Sequence, residues 1–347
     1  MEHQPIVITH DLAADLRAAI ASLAPDRLFL LADENTARLC LPRLESAIAP
    51  SLITIAPSDE AKNLDTLASV WEALSRGGAT RHSLLLNLGG GMVTDLGGFA
   101  ASTFKRGIPF INLPTTLLAM VDASVGGKTG INFCGLKNEI GVFSNAETVI
   151  LDTQFLATLD RENLLSGYAE MLKHGLISTP EHLDQLLAFD IEQPDLAVLA
   201  ALVAESVAVK QRIVAEDPRE HGIRKALNLG HTAGHAFESH AMATGRTVLH
   251  GYAVAWGLVC ELYLSATRCG FPAQRLHQLR HFVQDHYGRF PLDCREYDRL
   301  YELMTHDKKN DAGHINFTLL GAVGDIRINQ VTTRDDIFEM LDYYREG

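Results

Sequence analysis

Ser83-Leu84-Leu85-Leu86-Asn87-Leu88-Gly89-Gly90-Gly91-Met92-Val93-Thr94-Asp95-Leu96-Gly97-Gly98 decides the fold class. An apolar run of strand length enters three glycines and leaves as a helical pattern, the opening half of a strand–helix–strand unit. Glycines at such a junction let backbone N–H groups approach a pyrophosphate without Cβ interference, and the helix N-terminus adds favourable charge. The standard dinucleotide spacing is not met, because Thr94 occupies its last glycine position. Nor does an acid end the next strand, which runs into Asn112-Leu113-Pro114, so Asp33 is the better ribose-binding candidate. A tight turn without a ligand is the competing reading; three glycines at the junction favour nucleotide binding by a variant site.

Outward from this turn, short apolar runs at Ile6–Ile8, Leu28–Leu31, Leu52–Ile55, Phe110–Leu113 and Thr148–Leu151 alternate with helical patterns such as Leu64–Leu74. Alternation of this kind predicts a mostly parallel, helix-covered sheet. From about Phe155 long periodic segments dominate: Leu164–Ile177, Leu196–Val214, Ala226–Ala243, Ala253–Arg268 and Arg275–His286. One small extended piece is expected near Ile315–Leu320. The expected organisation is an α/β nucleotide-binding domain over 1–153, then an all-α metal- and substrate-binding domain over 154–347. Two domains also suit 347 residues, more than one core normally serves.

Bulk properties narrow the function. A net charge of −13 argues against nucleic-acid binding. No apolar run is long enough to span a bilayer, and the N-terminus lacks the layout of a signal peptide. The five cysteines, Cys40, Cys134, Cys260, Cys269 and Cys294, are scattered and form no C-x-x-C pair, which predicts reduced thiols and a cytoplasmic protein.

Asn228-Leu229-Gly230-His231-Thr232-Ala233-Gly234-His235 reads as helical, with both histidines on one face one turn apart. That spacing suits a divalent metal, but Thr232 stands where a zincin has its general base. His250 opens another helical pattern, and Glu170, Lys173 and His174 share one face of an otherwise apolar helix. A His/His/Glu set with an open position fits catalytic zinc; which two histidines are ligands stays open from the residues alone. Buried structural histidines are the competing reading. Cations recur inside apolar or glycine-rich segments: Arg106, Lys128, Lys137, Lys173, Lys210, Arg224, Lys308 and Lys309. Gly126-Gly127-Lys128-Thr129 is no P-loop end, because Asp122 stands where its first glycine is needed. These cations suit a small substrate bearing a phosphate and a carboxylate.

Four segments together resemble the 3-dehydroquinate synthases within the sugar-phosphate cyclases: Gly89 to Ala101, Leu113 to Gly130, Ser166 to Lys173, and Leu227 to Glu238. The resemblance is collinear from about Asp33 to Lys309. It implies an N-terminal NAD-binding domain and a C-terminal helical domain carrying Zn2+ or Co2+. Glu170, His231 and His250 correspond to metal ligands and His235 to a substrate contact. Asp33 and Asn35 match adenosine-side contacts. Further NAD contacts match Gly90, Gly91, Met92, Asp95, Thr115, Thr116, Leu118, Asp122, Lys137 and Thr158, with Asp59 and Lys62 in the G-E-x-x-K stretch. The substrate set becomes Lys128, Asn138, Lys173, Lys210, Arg224, Asn228, Lys308 and Lys309. Arg106 corresponds to an arginine supplied across a dimer interface, which implies a homodimer. Asp59 replaces a usual glutamate, Ala123 a common serine, and Asp160 and Asn163 a proline and a glutamate; these departures fall mostly on the nucleotide side.

The implied reaction converts 3-deoxy-D-arabino-heptulosonate 7-phosphate into 3-dehydroquinate and phosphate, with NAD regenerated in every turnover. Three other readings compete: a cyclase acting on a neutral sugar phosphate, a metal-dependent polyol dehydrogenase, and a catalytically silent nucleotide-binding protein. Lys210, Asn228 and the Lys308–Lys309 pair favour the acid substrate.

Overall fold

Residues 4–305 and 315–347 are described by a computed structural model. The first five strands are the apolar runs Ile6–Ile8 (β1), Leu28–Asp33 (β2), Ser51–Ile55 (β3), Leu84–Gly89 (β4) and Phe110–Pro114 (β5). Lys128–Phe133 (β6), Leu136–Phe143 (β7) and Thr148–Leu151 (β8) follow. Six of these pair in parallel in the order β1-β8-β5-β4-β2-β3. β4 and β5 are buried throughout, which is why they read as apolar runs without alternation. Their one polar pair, Asn87 and Asn112, lies in register and is joined by a 2.9 Å hydrogen bond from the Asn87 amide.

The strand order turns at β2 and β4. From β2 the chain steps outward to β3, whereas from β4 it steps the other way to β5. Helices beginning at the carboxyl ends of adjacent strands that diverge in this way leave a crevice, the usual ligand position of an open parallel sheet. Asp33 ends β2, Gly89 ends β4 and Gly90-Gly91 follow it, so the glycine turn and Asp33 lie at this switch point.

The chain divides into two compact units, Met1–Asp160 with Asp195–Val207, and Arg161–Pro194 with Ala208–Gly347. The first holds the parallel sheet and the antiparallel hairpin β6–β7. The second holds helices Arg161–Leu176, Pro180–Ala188, His231–Ala243, His250–Leu264, Ala273–Tyr287, Tyr297–Thr305 and Arg334–Glu346. It also carries an antiparallel hairpin, Asn316–Ala322 (β9) and Asp325–Val331 (β10), so the helical region is not purely α. The extended piece expected near Ile315–Leu320 is the first strand of that hairpin. No described helix is long and apolar enough to cross a membrane, and none of the five cysteines forms a disulfide.

A helical hairpin in the second unit is assembled by glycines. Helices His231–Ala243 and His250–Leu264 run antiparallel at backbone contact. A Cβ on Gly257 would come within 2.0 Å of the Gly230 carbonyl oxygen, and one on Gly234 within 2.9 Å of that of Ala253. Helix Arg161–Leu176 meets the same bundle equally closely: a Cβ on Gly251 would lie 1.9 Å from the Ser166 carbonyl oxygen. The Gly251 amide instead donates to Ser166 Oγ at 3.1 Å.

Candidate metal centre and nucleotide turn

Those three helices each bring one side chain to a common point. Glu170 is buried within Arg161–Leu176, His231 opens its helix, and His250 opens the next. Nε2 of His231 and Nε2 of His250 each lie 3.4 Å from Glu170 Oε1. Ligand bonds of about 2.0–2.1 Å in a tetrahedral site place neighbouring donor atoms about 3.3 Å apart. The spacing therefore fits a shared divalent cation, and two imidazoles with one carboxylate are a donor set for zinc or cobalt.

The far nitrogens settle which face of each ring is offered. His231 Nδ1 is 3.1 Å from the Leu229 carbonyl oxygen, which can only accept, so Nδ1 carries the hydrogen. His250 Nδ1 is 3.3 Å from Glu238 Oε2. Both arrangements leave Nε2 for a ligand bond, as partners of metal-binding histidines generally do. Glu238 was missed as an orienting residue in the sequence. Its place one turn before the end of a histidine-bearing helix was the available signal, but its partner lies twelve positions on, across a turn.

Electrostatics follow the same geometry. Burial opposes ionisation of Glu170, yet the Lys173 charge, then that of His231, hold its carboxyl well below the usual range. The Lys173 ammonium pairs with Glu170 Oε2, and Lys173 is 1% exposed. Burial likewise disfavours charge on His250, but hydrogen bonds to Glu170 and Glu238 raise it to about 10. The His235 ring centroid lies 5.3 Å from that of His231 and 6.0 Å from that of His250, beside the set.

Other expected substrate residues of this unit are arranged around short loops. Arg224 and Lys210 are buried, at 2% and 6% exposure. Asp217 holds the Arg224 loop through the amides of His221, Gly222 and Arg224, and Arg224 Nη1 donates to the Pro218 carbonyl at 2.7 Å. Asn228 donates to Glu220 at 2.9 Å. It does not share the His231 helix as the periodicity implied: Ile223–Asn228 is a separate 3-10 turn, and Gly230 breaks the chain with φ 80°. Lys308 and Lys309 lie outside the described residues. A wide groove of roughly 650 Å³, lined by residues such as Asp184, Phe189, Phe282 and His286, contains none of the predicted site residues.

In the first unit, the glycine turn is built for closeness rather than for unusual φ. A Cβ on Gly89 would come 2.5 Å from Val93, and one on Gly97 2.0 Å from Asn87 Oδ1, so helix Gly91–Thr103 packs directly on β4. Gly90, the helix N-cap, has no side chain to occupy the position before the helix N–H groups. Thr115, Thr116 and Leu118 follow β5 and lead into a π-helical turn, Ala119–Ala123, that includes Asp122. Met92 is the second residue of the helix after the turn. Asp33 caps helix Glu34–Leu39 by accepting from the amides of Asn35 and Thr36. Thr36 Oγ1 in turn donates to the Leu88 carbonyl at 3.0 Å, tying the ends of β2 and β4 together.

Beside this turn Lys62 is buried and pairs with Asp95 at 3.1 Å and with Asp59 at 3.7 Å. Lys137 lies 3.8 Å from Asp59, and Asn132 joins the cluster by donating to the Asp59 carbonyl at 3.0 Å while accepting from the Asn138 amide at 2.9 Å. Burial pushes the Asp95 carboxyl up to about 6, against the pull of Lys62. Gly126 and Gly127 lead into a strand beginning at Lys128, where a P-loop would begin a helix. Lys128 and Arg106 are exposed, and Thr158 Oγ1 donates to the Phe155 carbonyl at 2.7 Å.

Residues 52–166 match the family model described as 3-dehydroquinate synthase N-terminal, and 167–310 the one described as 3-dehydroquinate synthase C-terminal. A 3-dehydroquinate synthase of Parabacteroides distasonis is 55% identical over 350 residues, spanning 100% of this chain and 99% of its own. Among solved structures, the 2-epi-5-epi-valiolone synthase ValA of Streptomyces hygroscopicus, with NAD+ and Zn2+ bound, gives a TM-score of 0.86 at 27% identity. The match covers 99% of this chain and 97% of ValA. A 2-deoxy-scyllo-inosose synthase complexed with carbaglucose-6-phosphate, NAD+ and Co2+ gives 0.84 at 20% identity, over 99% and 96% of the two chains. At that identity the second likeness is one of fold.

Proposed function

The chain belongs to the 3-dehydroquinate synthase family, and from that premise we propose how its own residues carry out the family reaction. The reaction is the conversion of 3-deoxy-D-arabino-heptulosonate 7-phosphate to 3-dehydroquinate and phosphate, a carbon–oxygen lyase step followed by ring closure in aromatic amino acid biosynthesis. The observation that carries the reading is the meeting of Glu170 Oε1 with the Nε2 atoms of His231 and His250.

Glu170, His231 and His250 hold Zn2+ or Co2+, while the switch-point turn at Gly90 and Gly91, with Asp33, Lys62 and Asp95, holds NAD. When bound, NAD takes up and returns a hydride and the cation polarises substrate oxygens. Lys173, buried against Glu170, presents its ammonium to a substrate oxygen without leaving the ion pair. His235, one turn beyond His231, holds or passes on a hydroxyl proton. Arg224, Lys210 and Asn228 fix the anionic groups of the substrate, with Lys128, Asn138, Lys308 and Lys309 completing the set.

Buried cations support an anionic substrate. Taking arginine and lysine out of water is costly, and a chain of net charge −13 that nevertheless buries Lys173, Lys210 and Arg224 concentrates positive charge locally. The β6–β7 hairpin exposes Phe133, Leu136, Ile140, Val142 and Phe143, an apolar surface that supports a homodimer in which Arg106 serves the partner's site. Five reduced cysteines support a cytoplasmic setting. The test is phosphate release from the heptulosonate phosphate set beside release from neutral sugar phosphates. Release from the acid alone is expected; release only from a neutral sugar phosphate would transfer the reading to the related cyclases.

A further inference from the structure

Helix His231–Ala243 begins without the side-chain cap that helices normally carry. Its N-cap is Gly230, held at φ 80°, and a Cβ there would lie 2.7 Å from Leu258 Cδ2. Serine, threonine, aspartate or asparagine, the usual caps, are therefore excluded by backbone conformation and by packing. The helix opens in the interior, so its first N–H groups cannot turn to water.

Glu261 fills the role from another helix. Its side chain is fully buried, and it accepts three backbone hydrogen bonds: Oε2 from Gly230 N at 2.6 Å, and Oε1 from Thr232 N at 2.9 Å and Ala233 N at 3.1 Å. The Leu229–Gly230, His231–Thr232 and Thr232–Ala233 peptides are thus pinned by one carboxylate. The Leu229–Gly230 peptide is the important one. Its N–H donates to Glu261, and its carbonyl accepts from His231 Nδ1 at 3.1 Å. Carboxylate, peptide and imidazole form one hydrogen-bonded chain, and each link polarises the next.

We propose that Glu261 is a positioning residue for the metal centre: acting through the Leu229–Gly230 peptide, it fixes the tautomer and ring orientation that present His231 Nε2 to the cation. It also offsets the positive end of the helix dipole, where a cation held by His231 would otherwise be disfavoured. The function rests on the metal set proposed above. No motif in the sequence marks it, since Glu261 lies thirty positions beyond His231 in an apolar helical run.

The test is Co2+ binding to the full-length protein, followed by the visible absorption of the bound ion and by competition with a chelator. Wild type, His231→Ala, Glu261→Gln and Glu261→Asp are compared, with NAD binding as the check on folding. Glu261→Gln keeps the shape but replaces an acceptor by a donor, so it is expected to bind Co2+ about 10–100-fold more weakly, with an altered absorption band and unchanged NAD affinity. Glu261→Asp keeps the charge and is expected to lose less. A purely steric role would give the reverse order and overturn the proposal, as would wild-type Co2+ affinity in Glu261→Gln. If Glu261→Gln does not accumulate as folded protein, Glu261→Asp decides: Co2+ affinity within about tenfold of wild type with a shifted absorption band upholds the proposal, whereas a larger loss, as a steric role requires, or an unshifted band overturns it. Failure of the metal reading itself would look different, because wild type and His231→Ala would then bind Co2+ alike, and the proposal would fall with it.

Discussion

Lys173 has two tasks that a substitution can separate. Its ammonium keeps the buried Glu170 carboxyl ionised, and in the proposed mechanism it also meets a substrate oxygen. Lys173→Ala is expected to lower turnover by about 10²–10⁴-fold while metal still binds. In the metal-free protein it should also cost roughly 3–5 kcal/mol, because a buried carboxylate loses its cation; thermal melts with and without Zn2+ would measure this, with the metal restoring most of the loss. Full turnover at normal metal content would remove Lys173 from the mechanism. Asp95 carries a pH signature. Its folded-state value, about 6, is raised above the ordinary 3.8. Its contribution is therefore most favourable below about pH 4 and is lost as pH rises through 6. Between pH 4 and 8 wild type should lose on the order of 2–3 kcal/mol relative to Asp95→Asn. A pH-independent difference between the two melting curves would contradict the assignment. At this scale the histidines and Glu170 were legible because helical spacing places them on faces. Choosing His231 and His250 over His235 needed family resemblance, and Glu238 and Glu261 stayed hidden because their partners lie far along the chain.

Among the elements, glycine decides how closely the helices that begin at His231 and His250 approach. Gly257→Ala would drive a methyl group into the Gly230 carbonyl, a backbone atom that cannot swing aside. The helical hairpin must then open, which is expected to cost about 1–3 kcal/mol or more and to weaken metal binding as His231 and His250 separate. A melt together with a Zn2+ titration would show both, and an unaffected Zn2+ affinity would mean the crossing does not set the site. The buried strands were readable because central parallel strands are apolar runs bounded by turns. The β6–β7 hairpin was not, since β7 is exposed along its whole length and shows no apolar alternation against a core. The start of the His231 helix was misread for a similar physical reason. Its cap is supplied by Glu261 from a distance, so the local sequence carries no Ser, Thr, Asp or Asn signal.

For the whole molecule the question is why a chain of net charge −13 should handle a doubly anionic substrate. Among the described residues, Lys173, Lys210 and Arg224, which would meet it, are buried, where low dielectric makes each one count for more. Fold alone does not select the reaction. A dehydrogenase accumulates NADH in proportion to product, whereas a cyclase of this family returns the hydride before product leaves. The most direct measurement therefore supplies the heptulosonate phosphate with NAD in quantities far below substrate and follows phosphate and NADH together. The expected result is phosphate release in large excess over NAD with no net NADH, abolished by a chelator and restored by Zn2+ or Co2+. No phosphate from metal-loaded protein, or NADH rising in step with product, would contradict the account.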